Sequence, residues 1–263
     1  DCMKSITDID LMKKLHNKVI DMQLDLKCSR CGNRYDYYKF DNGQEERIGC
    51  DCFMIEKAKQ STSNYKAKQK RLDIERVFKQ SMLNDDLLKA HFDNYKPTNS
   101  DLLEAKQIMQ KYAANFSIDK PTSLLLHGTY GIGKSHLAMS IVKEVKKKGY
   151  TALFIDVTEL ITAYRDTYTK TSDVTEKQLD QLIKDVDLLV IDDYGTSLTN
   201  YGLSKMFNVA NLRTGKHNII TTNNTARELT LTKDSKKIFS RLMKNTKIIK
   251  MHGADYRLKD FHS

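Results

Sequence analysis

The stretch Leu124-Leu-Leu-His-Gly-Thr-Tyr-Gly-Ile-Gly-Lys-Ser-His-Leu-Ala-Met-Ser-Ile-Val142 decides how the chain folds. A short apolar run leads into Gly128-x-x-x-x-Gly133-Lys134-Ser135, and an amphipathic helical pattern follows without a break. Strand, glycine-bounded loop and helix in that order make the phosphate-binding loop pattern. Gly128 and Gly133 permit the turn that aims backbone N–H groups at a phosphate. Thr129, Tyr130, Gly131 and Ile132 supply the backbone between them, and His136 follows in the first helical turn. Lys134 can reach the β- and γ-phosphates, Ser135 can ligate Mg²⁺, and the helix start adds partial positive charge.

Downstream, Asp187-Leu-Leu-Val-Ile-Asp192-Asp193 reads as a buried strand ending in two acids. At the carboxyl edge of a sheet Asp192 can hold the Mg²⁺ shell and Asp193 can orient an attacking water, the Walker B arrangement. A later run ends Thr221-Thr222-Asn223-Asn224, where an Asn at the strand tip can hydrogen-bond the γ-phosphate or the water. Asn223 is favoured over Asn224 for that sensor 1 position. Apolar runs at Leu124–His127, Thr151–Val157, Val186–Ile191, Ile219–Thr222 and Thr246–Met251 alternate with helical stretches. Such alternation predicts a five-stranded parallel sheet covered on both faces, with phosphate at the carboxyl ends of the strands.

Upstream, Phe92-Asp-Asn-Tyr95 followed by Lys96-Pro97 marks a boundary. Ser100 is expected to cap a helix running to Phe116, with Leu102, Ala105, Ile108, Met109 and Tyr112 on one face. From Phe53 to Gln80 there is no Pro or Gly, and Lys57, Lys59, Lys66, Lys68, Lys70 and Arg71 outweigh the acids, which reads as a basic helix or linker.

Before that linker stand Cys28-Ser-Arg-Cys31 and Cys50-Asp-Cys52. Tyr35-Asp-Tyr-Tyr-Lys-Phe40 and Arg47-Ile48 flank Asp41-Asn42-Gly43, whose Asn-Gly pair suits a type I′ hairpin turn. Two strands would then bring the cysteine pairs together as a tetrahedral Zn²⁺ site formed by Cys28, Cys31, Cys50 and Cys52. A site closed by four Cys has no open position for catalysis, so this module should bind rather than react. Residues 6–26 carry apolar positions at mostly helical spacing and read as an amphipathic helix, with His16 a packing or surface residue.

The 263 residues allow one sizeable domain and a small one. A net charge of +10 suits a polyanionic partner. No apolar run is long enough to span a bilayer, and no secretory signal is present, so no membrane partner is expected. Clustered cysteines beside a phosphate loop point to a reducing, cytoplasmic setting. The domains expected are a zinc-binding module at 1–55, a basic helical linker at 56–84 and an ATPase domain at 85–263.

Several separated motifs resemble the DnaC/DnaI-type helicase loaders and their IstB relatives among the AAA+ ATPases. They are the phosphate loop from His127 to Ala138, Val186–Gly195, Ile220–Asn223, Phe239-Ser-Arg241-Leu-Met and Gly253-Ala-Asp-Tyr-Arg257. The resemblance covers about residues 85–260 and implies the AAA+ fold, ATP as ligand and ADP as product. It further implies that Arg241 is an arginine finger entering a neighbouring subunit's site and that Arg257 is sensor 2 in its own site. Guanidinium suits both roles, being always charged and able to fork onto phosphate oxygens. The second Walker B acid is Asp193 where many AAA+ enzymes have Glu, which shortens the reach to water and predicts slow turnover. The small Cys-rich module looks like the helicase-binding domains of some loaders. The segment Thr158–Lys184, with Leu160, Ile161, Tyr164, Arg165, Tyr168 and Lys170, corresponds to family helices that contact single-stranded DNA.

The function so implied is ATP-dependent loading of the hexameric replicative helicase onto single-stranded DNA, with ATP-driven self-assembly. Other readings are an IstB-like helper of a transposase on duplex DNA, a non-catalytic nucleotide-switched adaptor, and a zinc-dependent DNA-binding regulator.

Overall fold

The computed structural model describes residues 18–77, 85–169, 174–195 and 198–256. The chain divides into two compact units between Lys66 and Ala67.

The first unit is a three-stranded antiparallel sheet in the order β1-β2-β3, with β1 at Val19–Lys27, β2 at Arg34–Phe40 and β3 at Glu45–Ile48. The helix expected over residues 6–26 is therefore corrected from Val19 onward, while residues 6–17, with His16, lie outside the described residues. Ile20, Met22, Leu24 and Leu26 alternate with Asp21, Gln23, Asp25 and Lys27, and period two is the strand period. The hairpin turn differs too. Gly43 N–H donates to the Phe40 carbonyl (3.0 Å) and Phe40 N–H to the Gln44 carbonyl (2.9 Å), leaving a three-residue loop with Gly43 at φ 80°. Asn42 does not take the positive φ that a type I′ turn needs; its side chain instead accepts from Gln44 N–H at 2.9 Å. Helix α1, Cys52–Val77, starts on the last cysteine and runs across the boundary between the units; its residues 54–62 are exposed, and Ile74 near its end is buried in an apolar cluster of the second unit.

In the second unit, α2 (Asp85–Lys89) and α3 (Ser100–Ala114) precede β4 (Ser123–Gly128) and α4 (Lys134–Lys147). The α3 cap is Asn99, one residue before the expected Ser100: its side chain accepts from Leu102 N–H. Next come β5 (Ala152–Asp156), α5 (Val157–Thr169), α6 (Glu176–Asp185), β6 (Leu188–Asp192) and α7 (Asn200–Leu212). The chain continues through β7 (His217–Thr222), α8 (Lys233–Leu242) and β8 (Thr246–Met251). All five strands are parallel, in the order β5-β6-β7-β4-β8.

Strand alternation sends Leu124 and Leu126 to one face of the sheet and Leu125 to the other, so each face has its own apolar cluster. Met109 of α3 and Leu137 and Ile141 of α4 fill one; Leu160 of α5, Ile183 of α6 and Val209 of α7 fill the other. At the amino ends of β6 and β7 the buried Arg213 guanidinium closes the layer. It donates to the carbonyls of Val186 (2.5 Å) and His217 (2.6 Å) and to Asn218 Oδ1 (2.9 Å). Burial lowers its pKa to about 10, against the pull of nearby Asp187. The opposite, carboxyl edge is left for chemistry.

Candidate functional site

The carboxyl ends of β4, β6 and β7 are neighbours in the sheet, which brings the loop after β4, the acids after β6 and the asparagines after β7 together. The loop turns through Gly131 (φ 67°) and Gly133 (φ 88°), a conformation that disfavours side chains, and α4 begins at Lys134. Lys134 is only 7% exposed. Its ammonium donates to the Gly128 carbonyl (2.9 Å), the Thr129 carbonyl (2.6 Å) and Asn223 Oδ1 (2.6 Å).

From there a continuous chain of hydrogen bonds crosses the site. Asn223 Nδ2 donates to Asp193 Oδ1 at 2.8 Å, and Asp193 N–H donates to Thr221 Oγ1 at 2.9 Å. Thr221 Oγ1 in turn donates to Asp192 Oδ1 at 2.5 Å, and the Ser135 side chain also hydrogen-bonds Asp192. Asn223, not Asn224, thus faces the lysine and the acids; Asn224 braces the Gly195 carbonyl instead, at 3.3 Å.

Asp192 is 8% exposed, and burial pushes its carboxyl above the ordinary carboxylate range. The bonds from Thr221 and Ser135 pull it down, while the nearby charges of Asp193 and Asp156 push it up. A buried acid crowded by other acids, with a hydroxyl on each side, fits a divalent cation with oxygen ligands such as Mg²⁺. Asp193 itself sits at φ 55°, in the left-handed region.

Two segments, residues 92–95 and 253–256, hold the loop from behind. Tyr95 is buried, its hydroxyl donates to the Ile132 carbonyl at 2.9 Å, and its ring stands where a side chain on Gly133 would have to go. After β8, Tyr256 N–H donates to the Gly131 carbonyl at 3.0 Å, and the Asp255 carboxylate occupies the space beside Gly131. His136 points to the same flank as Tyr95, its Nε2 hydrogen-bonding the His91 carbonyl at 3.0 Å. Tyr130 is exposed at the loop tip.

Arg241 lies on α8, away from these groups. Its guanidinium donates to Asn211 Oδ1 (2.7 Å) and the Lys237 carbonyl (3.1 Å) and stacks over Phe207. Arg257 lies outside the described residues. In the segment compared with DNA-contacting helices, Leu160, Ile161 and Tyr164 are core residues, and Tyr164 hydroxyl donates to Asp180 at 2.7 Å. That placement corrects Tyr164 as a stacking candidate. Arg165 and Tyr168 of the same helix are exposed, and Lys170 is outside the described residues.

In the first unit the sheet brings Cys28, Cys31, Cys50 and Cys52 together with all four Sγ within 4.8 Å of one another. The Cys31 and Cys50 sulfurs are 3.5 Å apart. Four sulfurs at roughly 2.3 Å from a tetrahedral zinc would be spaced by about 3.8 Å, so the cluster fits that ion. Backbone N–H groups of Cys31 and Arg30 favour the Cys28 thiolate and lower its pKa to about 6. The neighbouring thiols of Cys31 and Cys50 push Cys52 up to about 12. A cation among them would relieve that crowding and hold all four as thiolates.

Thr221 carries no chemical signature of a site residue in the sequence; it is the parallel register, Ile191 with Ile220, that sets it beside Asp192. Tyr95, Asp255 and Tyr256 meet the loop across long sequence separations and carry no local signal of it.

Comparison with known proteins adds to this geometry. The model of a family described as IstB-like ATP binding protein matches residues 62–263. The chain is 28% identical over 157 residues to the replicative helicase loader DnaC of Buchnera aphidicola subsp. Acyrthosiphon pisum (strain APS), covering 60% of this chain and 62% of that protein. It thus spans about three-fifths of that relative's length. The crystal structure of the DnaC helicase loader is similar with a TM-score of 0.57 and 22% identity, over 64% of this chain and 99% of that one. That of DnaI is similar with a TM-score of 0.55 and 21% identity, over 66% and 94%. The second unit shares with these proteins the AAA+ P-loop fold.

Proposed function

The chain belongs to the IstB-like ATP-binding protein family, and from that premise we propose that it hydrolyses ATP to load a hexameric replicative helicase onto single-stranded DNA. The observation that carries the catalytic part is the unbroken chain Lys134–Asn223–Asp193–Thr221–Asp192–Ser135. Phosphate loop, acids and sensor belong to one hydrogen-bonded network.

In this reading the loop N–H groups and Lys134 bind the β- and γ-phosphates of ATP. Ser135 and Asp192 hold Mg²⁺, which neutralises developing charge on the phosphate oxygens. Asp193 and Asn223 orient the attacking water. Asn223 Nδ2, which donates to Asp193, is the group of this side chain able to donate to the γ-phosphate. Arg241 completes the site of an adjacent copy and Arg257 contacts the phosphates of its own, which makes ATP an assembly signal. Hydrolysis to ADP is slow and ends the assembled state. Asp193 is a short acid, suited to a timer rather than a motor.

The cysteine unit is the part that grips the helicase. Its β1 edge strand presents Ile20, Met22 and Leu24, each more than half exposed, as an apolar surface for a protein partner. Arg165 and Tyr168 of α5 offer charge and a stacking ring to single-stranded DNA, and α1 adds exposed Lys57, Lys59 and Lys68. Among the described residues no helix is long and apolar enough to cross a membrane; cytoplasmic action is part of the proposal.

The test is co-purification of the chain with the host's replicative helicase in the presence of ATP, followed by helicase loading on single-stranded DNA. Recovery of the helicase, lost with Lys134→Ala or with residues 1–66 removed, is expected. Recovery of a transposase with a preference for duplex DNA would replace this reading with the transposition helper.

A further inference from the structure

We infer that Tyr95 is a positioning residue of the nucleotide site: its phenol holds the Ile132 carbonyl outward so that the phosphate-loop N–H groups face the ligand. The inference rests on the nucleotide reading above and deepens it.

The N–H and C=O of a trans peptide point in opposite directions, so a loop that turns its N–H groups toward a phosphate sends its carbonyls away from it. Those carbonyls still need donors, because a buried one left unpaired is costly. In this loop the donors can be named. Gly128 and Thr129 carbonyls accept from Lys134, Gly131 from Tyr256 N–H, and Ile132 from the Tyr95 hydroxyl. Lys134 serves the carbonyls at the start of the loop, and the two clasps behind the loop tip hold the Gly131 and Ile132 carbonyls outward.

Tyr95 is built to do this. Asn94 Oδ1 accepts from His91 N–H and Asn94 Nδ2 donates to the Lys89 carbonyl, both at 2.8 Å, which locks the turn. Lys106 of α3 donates to the Tyr95 carbonyl at 3.0 Å, and His136 pins the His91 carbonyl to the first turn of α4. The ring backs onto Gly133 within van der Waals reach of its vacant side-chain direction. Burial pushes the phenol up to about 12, so it remains a donor across the physiological range.

The experiment compares full-length wild type, Tyr95→Phe and Tyr95→Leu for ADP affinity by calorimetry, steady-state ATP hydrolysis, and melting without nucleotide. Tyr95→Phe keeps the ring and removes the donor. Its Kd for ADP and its KM for ATP should rise about tenfold, with kcat falling less than twofold and nucleotide-free melting falling modestly, because the buried Ile132 carbonyl loses its donor. Unaltered ADP affinity in Tyr95→Phe overturns the inference, whether or not Tyr95→Leu, which also loses the ring, binds weakly. A lowered melting temperature with unaltered ADP affinity overturns it too, as the mark of a merely structural residue. A wild-type chain that binds no ADP overturns the nucleotide reading as well.

Discussion

The two units of this chain are held together by different means. Among the described residues before Ala67 only Cys50 is buried, whereas the second unit packs separate apolar clusters on the two faces of its sheet. The second unit is thus held by its hydrophobic core. The cysteine unit has almost no apolar interior, and a small sheet without one needs other staples. Its staples are the thiol cluster and the Arg47 guanidinium stacked on Phe53 and lying beside Tyr35, while exposed ion pairs such as Arg30–Glu56 at 2.9 Å add little.

That contrast can be broken most directly at the four thiols. Chelation, or Cys28→Ser with Cys31→Ser, should abolish ordered structure in the first unit and leave the melting of the second unchanged. Zinc content with hydrogen exchange resolved along the chain would report both, and an exchange-protected β1–β3 sheet without metal would sink the zinc assignment. Next in size is Leu137→Ala, which opens a cavity under α4 and should cost the second unit about 2–5 kcal/mol, read from denaturant titration, with no change in zinc content.

A smaller effect of opposite sign is expected at Asp192. Its folded pKa is raised, so the folded state holds this proton more tightly than the unfolded one. The stability that proton contributes is present at low pH and is lost as pH rises through the window just above the ordinary carboxylate range. At neutral pH the buried charge is uncompensated by a ligand. Asp192→Asn should therefore melt higher than wild type near neutrality without nucleotide or Mg²⁺, with the gap closing as the pH is lowered. A mutant that melts lower at neutral pH would show that Asp192 is valued for its hydrogen bonds. The smallest effect is Arg30→Ala, which removes an exposed pair and should alter neither melting nor zinc content.

The second unit was the more legible of the two. Its strands β4, β5, β6 and β7 are buried and make apolar runs long enough to stand out, and Gly133-Lys134-Ser135, Asp192-Asp193 and Asn223 sit at or just after the ends of β4, β6 and β7. In the cysteine unit the strands are half exposed, so their pattern is weaker. The alternation from Ile20 to Leu26 was present but lost to an apparent helical spacing running in from residues before it. The Asn-Gly dipeptide marked the hairpin correctly and its turn type wrongly, because Asp41 joins the loop. Tyr95 reaches Ile132 across 37 positions, and nothing local to Phe92-Asp-Asn-Tyr95 announces a donor for a distant carbonyl. Residues that act through backbone partners leave little trace in composition.

The backbone at Asp193 has a consequence for how the rate of this site could change by mutation. Held at φ 55°, with its N–H on Thr221 Oγ1, the residue occupies a region that Asp and Asn tolerate better than longer side chains. A left-handed backbone costs an ordinary L-residue about 1–2 kcal/mol. Asp193→Glu would extend the carboxylate toward water but carry that cost at the centre of the hydrogen-bonded chain. Reach and foldability oppose each other at this one position, so a longer acid here comes with a strained backbone.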